Sequence, residues 1–353
     1  MPTSQPLVGL ELEFLTFATS DRGRPSIDVL ERITRAPLAS GGRVTCEPGG
    51  QLEVSSPPAA TTSQAIAATT RDVAELHDRA RAEGIDLVSV GADRWRPPTR
   101  VVDSVRYRAM EAHFDRLGRA GRQMMCNTAA LQLNLGVTPT NHRDRWQVAH
   151  LIGPAMVAAF ANSPNEAGTN STRLATWMAM EPARTAAVRA DRPLPDGWIE
   201  YAWAAPTLVA RGTDGSCISL PVPLRFGEWL ERGSPIGYPT VDDLTYHLTM
   251  LFPPVRPRGW LEIRYLDALP SPWWEVATMV VTALLDDALL GEARRAVAGT
   301  HDLWFAAAGA GLEDERLAVA ADNCFALAVA ATGDAGVIEY LERYVARRVP
   351  SWA

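Results

Sequence analysis

The chain has 353 residues and a formal net charge of -7 from 34 basic and 41 acidic side chains, and every one of the 34 basic residues is arginine. With no lysine present, families that need its amine are excluded: P-loop NTPases, protein kinases, pyridoxal-phosphate enzymes and Schiff-base aldolases. A content of 47% hydrophobic and 21% charged residues describes a soluble globular protein with a sizeable core, and the mild acidity argues against a nucleic-acid or membrane partner.

Residues 7–18 read as a strand, and 26–36 as a helix begun by Ser26 in a capping position. A strand near 49–56 ends at Pro57 and Pro58, and 61–83 has the apolar spacing of an amphipathic helix. A strand at 85–91 leads to a proline-broken loop at 94–108, whose Arg94, Arg96, Arg100, Arg106 and Arg108 suit a phosphate-bearing small molecule. The pattern then predicts a helix over 107–120, a strand over 124–137 and a long helix over 143–161. A polar loop with Asn162, Ser163, Pro164 and Asn165 precedes a helix at 172–180.

Residues 191–240, rich in Pro, Gly and Trp, show no clear period and form an insertion or a lid. A helix at 241–250, a turn at 253–259 and a strand at 260–266 follow, and 272–353 read as a helical layer backing the sheet. The expectation is one catalytic domain over 1–353. The N-terminus does not read as a signal peptide, and the longest apolar stretches fall short of the roughly 20 residues that span a bilayer. Cys46, Cys126, Cys217 and Cys324 form no C-x-x-C pair and are expected as reduced thiols in a cytoplasm. His150 and His247 are expected to pack or cap, and Trp198, Trp203, Trp273 and Trp274 to pack in the core or lid.

One alternation recurs four times: Leu10-Glu11-Leu12-Glu13-Phe14, Gln51-Leu52-Glu53-Val54-Ser55, Leu131-Gln132-Leu133-Asn134-Leu135 and Leu261-Glu262-Ile263-Arg264-Tyr265. Each puts its polar residues on one strand face. Taken singly, each is a half-exposed strand of an antiparallel sheet. Taken together, their polar faces gather Glu11, Glu13, Glu53 and Glu262 with Gln51, Gln132, Asn134, Ser55 and Arg264. Clustered carboxylates raise one another's pKa unless a cation sits among them, and hard oxygen donors in this number call for magnesium with a nucleotide. Glu47, before the Pro48-Gly49-Gly50 turn, is either a further ligand or a solvated turn residue.

These segments, with Glu47-Pro48-Gly49-Gly50, Asn162-Ser163-Pro164, Arg184 and the run from Pro253 to Asp267, resemble the carboxylate-amine ligases of the glutamate-cysteine ligase superfamily. The likeness is greatest to the actinobacterial branch that opens ergothioneine biosynthesis. It covers about residues 7–290 and implies an α+β fold in which an antiparallel sheet curves into a funnel, as in glutamine synthetase and the guanidino kinases. It also implies MgATP at one end of the funnel, L-glutamate and L-cysteine as substrates, and γ-glutamylcysteine formed through a γ-glutamyl phosphate. Such phosphoryl transfer works by positioning and charge neutralisation, without lysine.

Carried over residue by residue, Glu11, Glu13, Glu47, Glu53 and Glu262 resemble the metal ligands, and Arg264 the arginine on the transferring phosphoryl group. Gln132 and Asn134 stand near the nucleotide, where other branches often carry a histidine. Arg173 and Arg184 are candidates for holding substrate carboxylates, with Gln51 and Trp177 as substrate-facing neighbours; the alternative for both arginines is a place on an ordinary helix surface. The short lead before the first strand, where relatives carry extra residues, makes the ligase chemistry a firmer expectation than cysteine as acceptor. Remaining alternatives are another amine acceptor, a non-catalytic nucleotide or metal sensor, and a phosphotransferase on the guanidino-kinase fold. A monomer is favoured.

Overall fold

The computed structural model describes residues 7–189, 192–211, 217–219 and 224–352. Nine strands are described: β1 (Val8–Ala18), β2 (Arg43–Cys46), β3 (Leu52–Ser55), β4 (Ile85–Val88), β5 (Ala130–Gly136), β6 (Val209–Arg211), β7 (Cys217–Ser219), β8 (Val255–Pro257) and β9 (Trp260–Asp267). Seven form one antiparallel sheet in the order β2-β3-β1-β5-β9-β8, with β4 on the second half of β1. β1 is long enough to pair with β3 along Glu11–Phe14 and with β4 along Leu15–Ala18. The four alternating segments predicted from sequence are the sheet's inner strands, and the fold is the expected curved antiparallel sheet with helices on its outer face.

The helices before the central region are α1 (Ile27–Thr34), α2 (Thr62–Ala82), α3 (Val105–Asp115), α4 (Ala120–Asn127), α5 (His142–Leu151), α6 (Gly153–Phe160), α7 (Thr172–Met180) and α8 (Pro182–Thr185). After them come α9 (Leu194–Ala204), α10 (Phe226–Arg232), α11 (Val241–Leu248), α12 (Trp273–Leu284), α13 (Leu290–Ala296), α14 (Trp304–Gly309), α15 (Glu315–Thr332) and α16 (Ala335–Tyr340). Leu10, Leu12, Leu52, Val54, Leu131, Leu133, Leu261 and Ile263 point to the outer face and are buried in one cluster with α2, α6, α12 and α15. Burying such side chains stabilises by about 1.5–3 kcal/mol each, which ties the strand register to the helical layer. The expected helical layer from 272 onward is present as α12 to α16.

Three departures have local causes. The strand expected over 124–137 begins only at Ala130, because Met124 and Met125 lie in α4; their apolar run reads equally as strand or buried helix. The helix expected over 143–161 breaks into α5 and α6 at Gly153-Pro154. A Cβ on Gly153 would sit 2.1 Å from the Trp304 ring, so this close approach requires glycine. The expected turn at 253–259 contains β8, and Gly259, at φ 87°, closes a hairpin onto β9. Within 191–240, residues 191, 212–216 and 220–223 lie outside the described set; α9, the β6–β7 hairpin and α10 are described there.

Candidate active site

The register brings the polar faces together. Glu13 stands opposite Glu53, Glu11 opposite Gln132, and Asn134 opposite Glu262. Between Leu131 and Leu133 the β5–β9 ladder carries a bulge. Bulges re-aim side chains, and here Arg264 Nη1 donates to Gln132 Oε1 at 2.6 Å. The result is a cavity of about 290 Å³ walled by Glu11, Glu13, Glu47, Glu53, Glu262, Gln132 and Arg264. Loop and helix residues complete it, among them Arg106, Tyr107, Met110, Met124, Met125, Trp177, Phe252, Arg256 and Arg258.

Glu47 reaches the cavity because its turn is clamped. Gln51 Oε1 accepts the Gly49 amide at 2.9 Å, while Gln51 Nε2 donates to the Thr128 carbonyl at 2.9 Å. From the other side Arg24 Nη1 donates to Gly49 O at 2.7 Å. Gly50 takes φ 88°, which only glycine adopts readily, and a Cβ on Gly49 would strike the Cys126 backbone at 2.2 Å. Glu47 thus lines the cavity and does not stand out as a solvated turn residue.

The carboxylates divide into two electrostatic groups. Burial, then Glu47, pushes the Glu13 carboxyl up to about 7. Burial likewise raises Glu11, Glu47 and Glu53, with Glu262 adding to the shift at Glu11, Glu11 to that at Glu47, and Glu47, Glu11 and Glu13 to that at Glu53. Glu262 behaves in the opposite way: burial would raise it, but Arg264 and Arg256 overcome this and hold it at about 2. Arg256 forks onto it, Nε to Oε2 at 2.5 Å and Nη2 to Oε1 at 3.0 Å, with Arg264 at 3.3 Å and Arg258 at 3.6 Å.

The donor set suits magnesium in its chemistry, being all oxygen and short of positive charge at four of its five carboxylates. Among the described residues no three such side chains are arranged to hold a metal as they stand, so the site is a ring of donors around a cavity and not a preformed cage. Three buried N–H donors beside it, Arg264 Nε, Arg173 Nε and Trp177 Nε1, have no hydrogen-bond partner, a complement for an anionic ligand.

Several sequence expectations are corrected. Arg184 is neither a surface arginine nor a cavity wall: it is fully buried, with Nε on Glu181 at 2.6 Å, Nη1 on Met250 O at 2.7 Å and Nη2 on Pro206 O at 2.5 Å. Arg173 is also outside the main cavity. Its Nη2 donates to the Arg264 carbonyl at 2.7 Å, and its charge offsets Asp267 and Glu13, so it braces α7 against β9. Asp267 completes that brace by accepting from Ser163 Oγ at 2.6 Å, Ser171 Oγ at 2.9 Å and the Asn162 amide at 2.9 Å, which explains Asn162-Ser163-Pro164.

Asn134 does not wall the cavity either; its amide is used by Glu11 at 2.9 Å and the Trp260 indole at 2.6 Å. Gln51 does wall it, yet with its amide committed to the turn it acts as a brace and not as a substrate contact. Trp177 lines the cavity as expected. Of the arginine cluster in the 94–108 loop only Arg106 reaches the site; Arg96 is bound to Asp93, and Arg100 and Arg108 to Asp103.

His247 Nε2 donates to the Ala202 carbonyl at 2.9 Å and its ring stacks on Phe226, while His150 packs on Trp146, both as expected. Trp273 and Trp274 are in the core, Trp198 stacks on Tyr201, and Trp203 meets Phe226. Cys46, Cys126 and Cys324 are free thiols; the Cys217 side chain lies outside the described set. Among the described residues no helix is long and apolar enough to cross a membrane. The residue the sequence reading missed is Arg256, whose signal is hairpin symmetry: it pairs with Glu262 across Gly259.

The model of glutamate-cysteine ligase family 2 (GCS2) matches residues 7–339. The chain belongs to this family. Within it, glutamate-cysteine ligase EgtA of Mycobacterium tuberculosis strain H37Rv is 41% identical over 340 residues, spanning 91% of this chain and 78% of that protein. EgtA of Mycolicibacterium smegmatis is 40% identical over 340 residues, with 91% and 79% covered. Among solved structures, glutamate-cysteine ligase of Francisella tularensis in complex with AMP aligns at a TM-score of 0.57 and 13% identity over 100% of this chain and 84% of that one. At that identity the likeness establishes the fold alone.

Proposed function

We propose that this GCS2 protein is an ATP-dependent glutamate-cysteine ligase, joining the γ-carboxylate of glutamate to the amine of cysteine as a step of ergothioneine biosynthesis. The observation that carries the reading is the gathering of Glu11, Glu13, Glu47, Glu53, Glu262 and Arg264 around one cavity on the sheet's polar face. The EgtA relatives, matched over most of both chains, support glutamate and cysteine as the pair that is joined.

Glu11, Glu13, Glu47 and Glu53 would hold magnesium, which when bound neutralises phosphate charge; Glu262, expected as a fifth ligand, is instead taken up by Arg256, Arg258 and Arg264. Arg264, steadied by Gln132 at 2.6 Å and by Glu262 at 3.3 Å, offers a fixed guanidinium to the phosphoryl group passing from ATP to the γ-carboxylate. Glu262 keeps Arg256, Arg258 and Arg264 together as one cationic wall. The amine of cysteine then attacks the acyl phosphate, the C–O bond to phosphate breaks, and the amine proton leaves. The test is ADP release with MgATP, glutamate and a panel of amines, with product mass. ADP and γ-glutamylcysteine formed only with both amino acids support the reading; full activity with another amine and none with cysteine overturns the acceptor, and no turnover with any pair overturns the ligase.

A further inference from the structure

Four of the five cavity glutamates take their places from strands: Glu11 and Glu13 from β1, Glu53 from β3 and Glu262 from β9. Glu47 stands on a turn, one residue past β2, so its place depends on what holds that turn. The backbone from Glu47 to Gly50 is bonded group by group. The Glu47 amide donates to Gln51 O at 2.8 Å, the Gly50 amide to Glu47 O at 2.8 Å, the Val101 amide to Pro48 O at 2.7 Å and the Thr16 hydroxyl to Gly50 O at 2.7 Å. Gly49 is held by side chains on both sides, Gln51 taking its amide and Arg24 its carbonyl.

Arg24 comes from the loop between β1 and α1 and lies behind the turn, outside the cavity. One guanidinium joins three segments. Nη1 donates to Gly49 O at 2.7 Å and to Cys126 O at 3.1 Å, and Nη2 to Pro97 O at 3.1 Å and to the side-chain carbonyl of Asn127. Cys126 O belongs to the last turn of α4, where helical carbonyls lack partners and a cation is favoured. The Arg24 side chain is only 12% exposed and its nearest carboxylate, Asp93, is 3.9 Å away, so its main partners are neutral carbonyls. Burying a cation among neutral groups is unfavourable in itself. What it secures is the turn that carries Glu47.

That turn has reason to move. Glu11, Glu13 and Glu53 cannot draw apart without breaking the β1–β3 pair, whereas Glu47 can leave the cavity with its turn and relieve the repulsion among the four. We propose that Arg24 is a positioning residue for metal binding: acting through Gly49 O, it holds Glu47 among the cavity carboxylates against their mutual repulsion. This assignment rests on the metal-dependent ligase reading above and adds to it a residue that touches neither metal nor substrate.

The test counts bound metal apart from turnover, with Mn2+ standing in for magnesium as a cation of the same octahedral, oxygen-seeking kind. Mn2+ alone is titrated into the full chain, and the free ion is read by electron paramagnetic resonance. Arg24→Gln binds it about 10- to 100-fold more weakly than wild type, the usual effect of removing the support behind a metal ligand. Arg24→Lys keeps the charge but reaches fewer carbonyls; it falls between the two and carries the test if the glutamine variant does not fold. At saturating Mg2+ the KM values of both variants for glutamate and cysteine stay within about threefold of wild type.

Arg184→Met is the comparison for a purely structural loss. It too removes a buried arginine from backbone carbonyls, those of Met250 and Pro206, so it lowers the melting midpoint and leaves Mn2+ affinity unchanged. Wild-type Mn2+ affinity in the folded Arg24 variants, or an equal loss in Arg184→Met, overturns the assignment. So does a rise in amino-acid KM at unchanged Mn2+ affinity, which would make Arg24 a support of α4 alone. Wild-type protein that binds no Mn2+ overturns the metal reading and this assignment together, whereas wild type that binds Mn2+ and forms no γ-glutamylcysteine brings down the ligase reading alone.

Discussion

Replacing Glu53 with glutamine should make the metal-free protein more stable and the enzyme nearly inactive. Glu53 faces Glu13 directly across the β1–β3 pair, and burial, Glu47 and Glu11 all push its carboxyl upward. Two charges about 5 Å apart interact by about 3 kcal/mol at an effective dielectric of about 20. Glutamine keeps the shape of the side chain. The Ser55 and Thr45 hydroxyls, now donating to the carboxylate at 3.1 and 3.3 Å, can bond either end of an amide. The upper bound on the gain is therefore about 3 kcal/mol. An unfolding entropy of about 2.1 cal/mol/K per residue over 353 residues gives about 0.74 kcal/mol/K, so the midpoint should rise by up to about 4 °C. With magnesium the order reverses: the wild type gains midpoint on metal addition, the variant gains less, and kcat/KM falls at least about 100-fold. Thermal unfolding at pH 8 in EDTA and in magnesium, beside ADP release, reads all three quantities. A lower midpoint of the variant in EDTA would refute the repulsion argument, and undiminished turnover would refute the ligand role.

Three further outcomes are expected. The Glu13 carboxyl, raised by burial and Glu47 to about 7 from 4.5, makes the folded chain hold more protons than the unfolded chain between those values, so metal-free stability falls as pH rises through that window. Melting midpoints in EDTA should drop from pH 5.5 to pH 8, with magnesium restoring more at pH 8; a midpoint that climbs with pH in EDTA contradicts this. Arg184→Met should lower the midpoint by about 4–7 °C, the roughly 3–5 kcal/mol of a broken buried pair, with KM values unchanged in the folded fraction. A higher KM for either amino acid at an unchanged midpoint would return Arg184 to the substrate site. Arg264→Lys keeps a charge but not the fork that meets Gln132 and Glu262, and kcat should fall about 100-fold or more; near-normal turnover would show that charge alone suffices.

The polar faces were legible from sequence because a period of two is a local property, and Glu11, Glu13, Glu53 and Glu262 needed only a shared sheet to meet. What local pattern does not carry is how a charged residue is used once the chain closes. In one dimension Arg173 and Arg184 look like clamps for substrate carboxylates and Arg264 like one for a phosphoryl group. In the fold two of them are taken up by backbone carbonyls and buried acids, and the difference lies in contacts 91, 66 and 22 residues away along the chain. Helix α4 was lost for a related reason: Met124, Met125 and Cys126 are buried in a second core, and an all-round apolar run has no period to distinguish helix from strand. Arg256 was legible in principle, since Gly259 centres a hairpin that must set it against Glu262.

The absence of lysine acquires a physical sense at this site. Arg173, Arg184 and Arg256 are each at most 8% exposed, and Arg264 is held beside Glu262 at the cavity wall. A lysine in such places would tend to lose its proton, since burial can bring its pKa down to about 5–6, whereas arginine stays charged and spreads its donors over two or three acceptors. Burial lowers even Arg256, but only to about 10, so it remains a cation at any working pH. Once these pairings are made, two unmet charges of opposite sign remain on the cavity wall. Among the described residues Glu11, Glu13, Glu47 and Glu53 form no ion pair, and Arg106 is bonded only to Thr249. A divalent metal would answer the first and an anionic group of a bound substrate the second. On the proposed reading, part of the net charge of -7 belongs to carboxylates that a bound metal would neutralise.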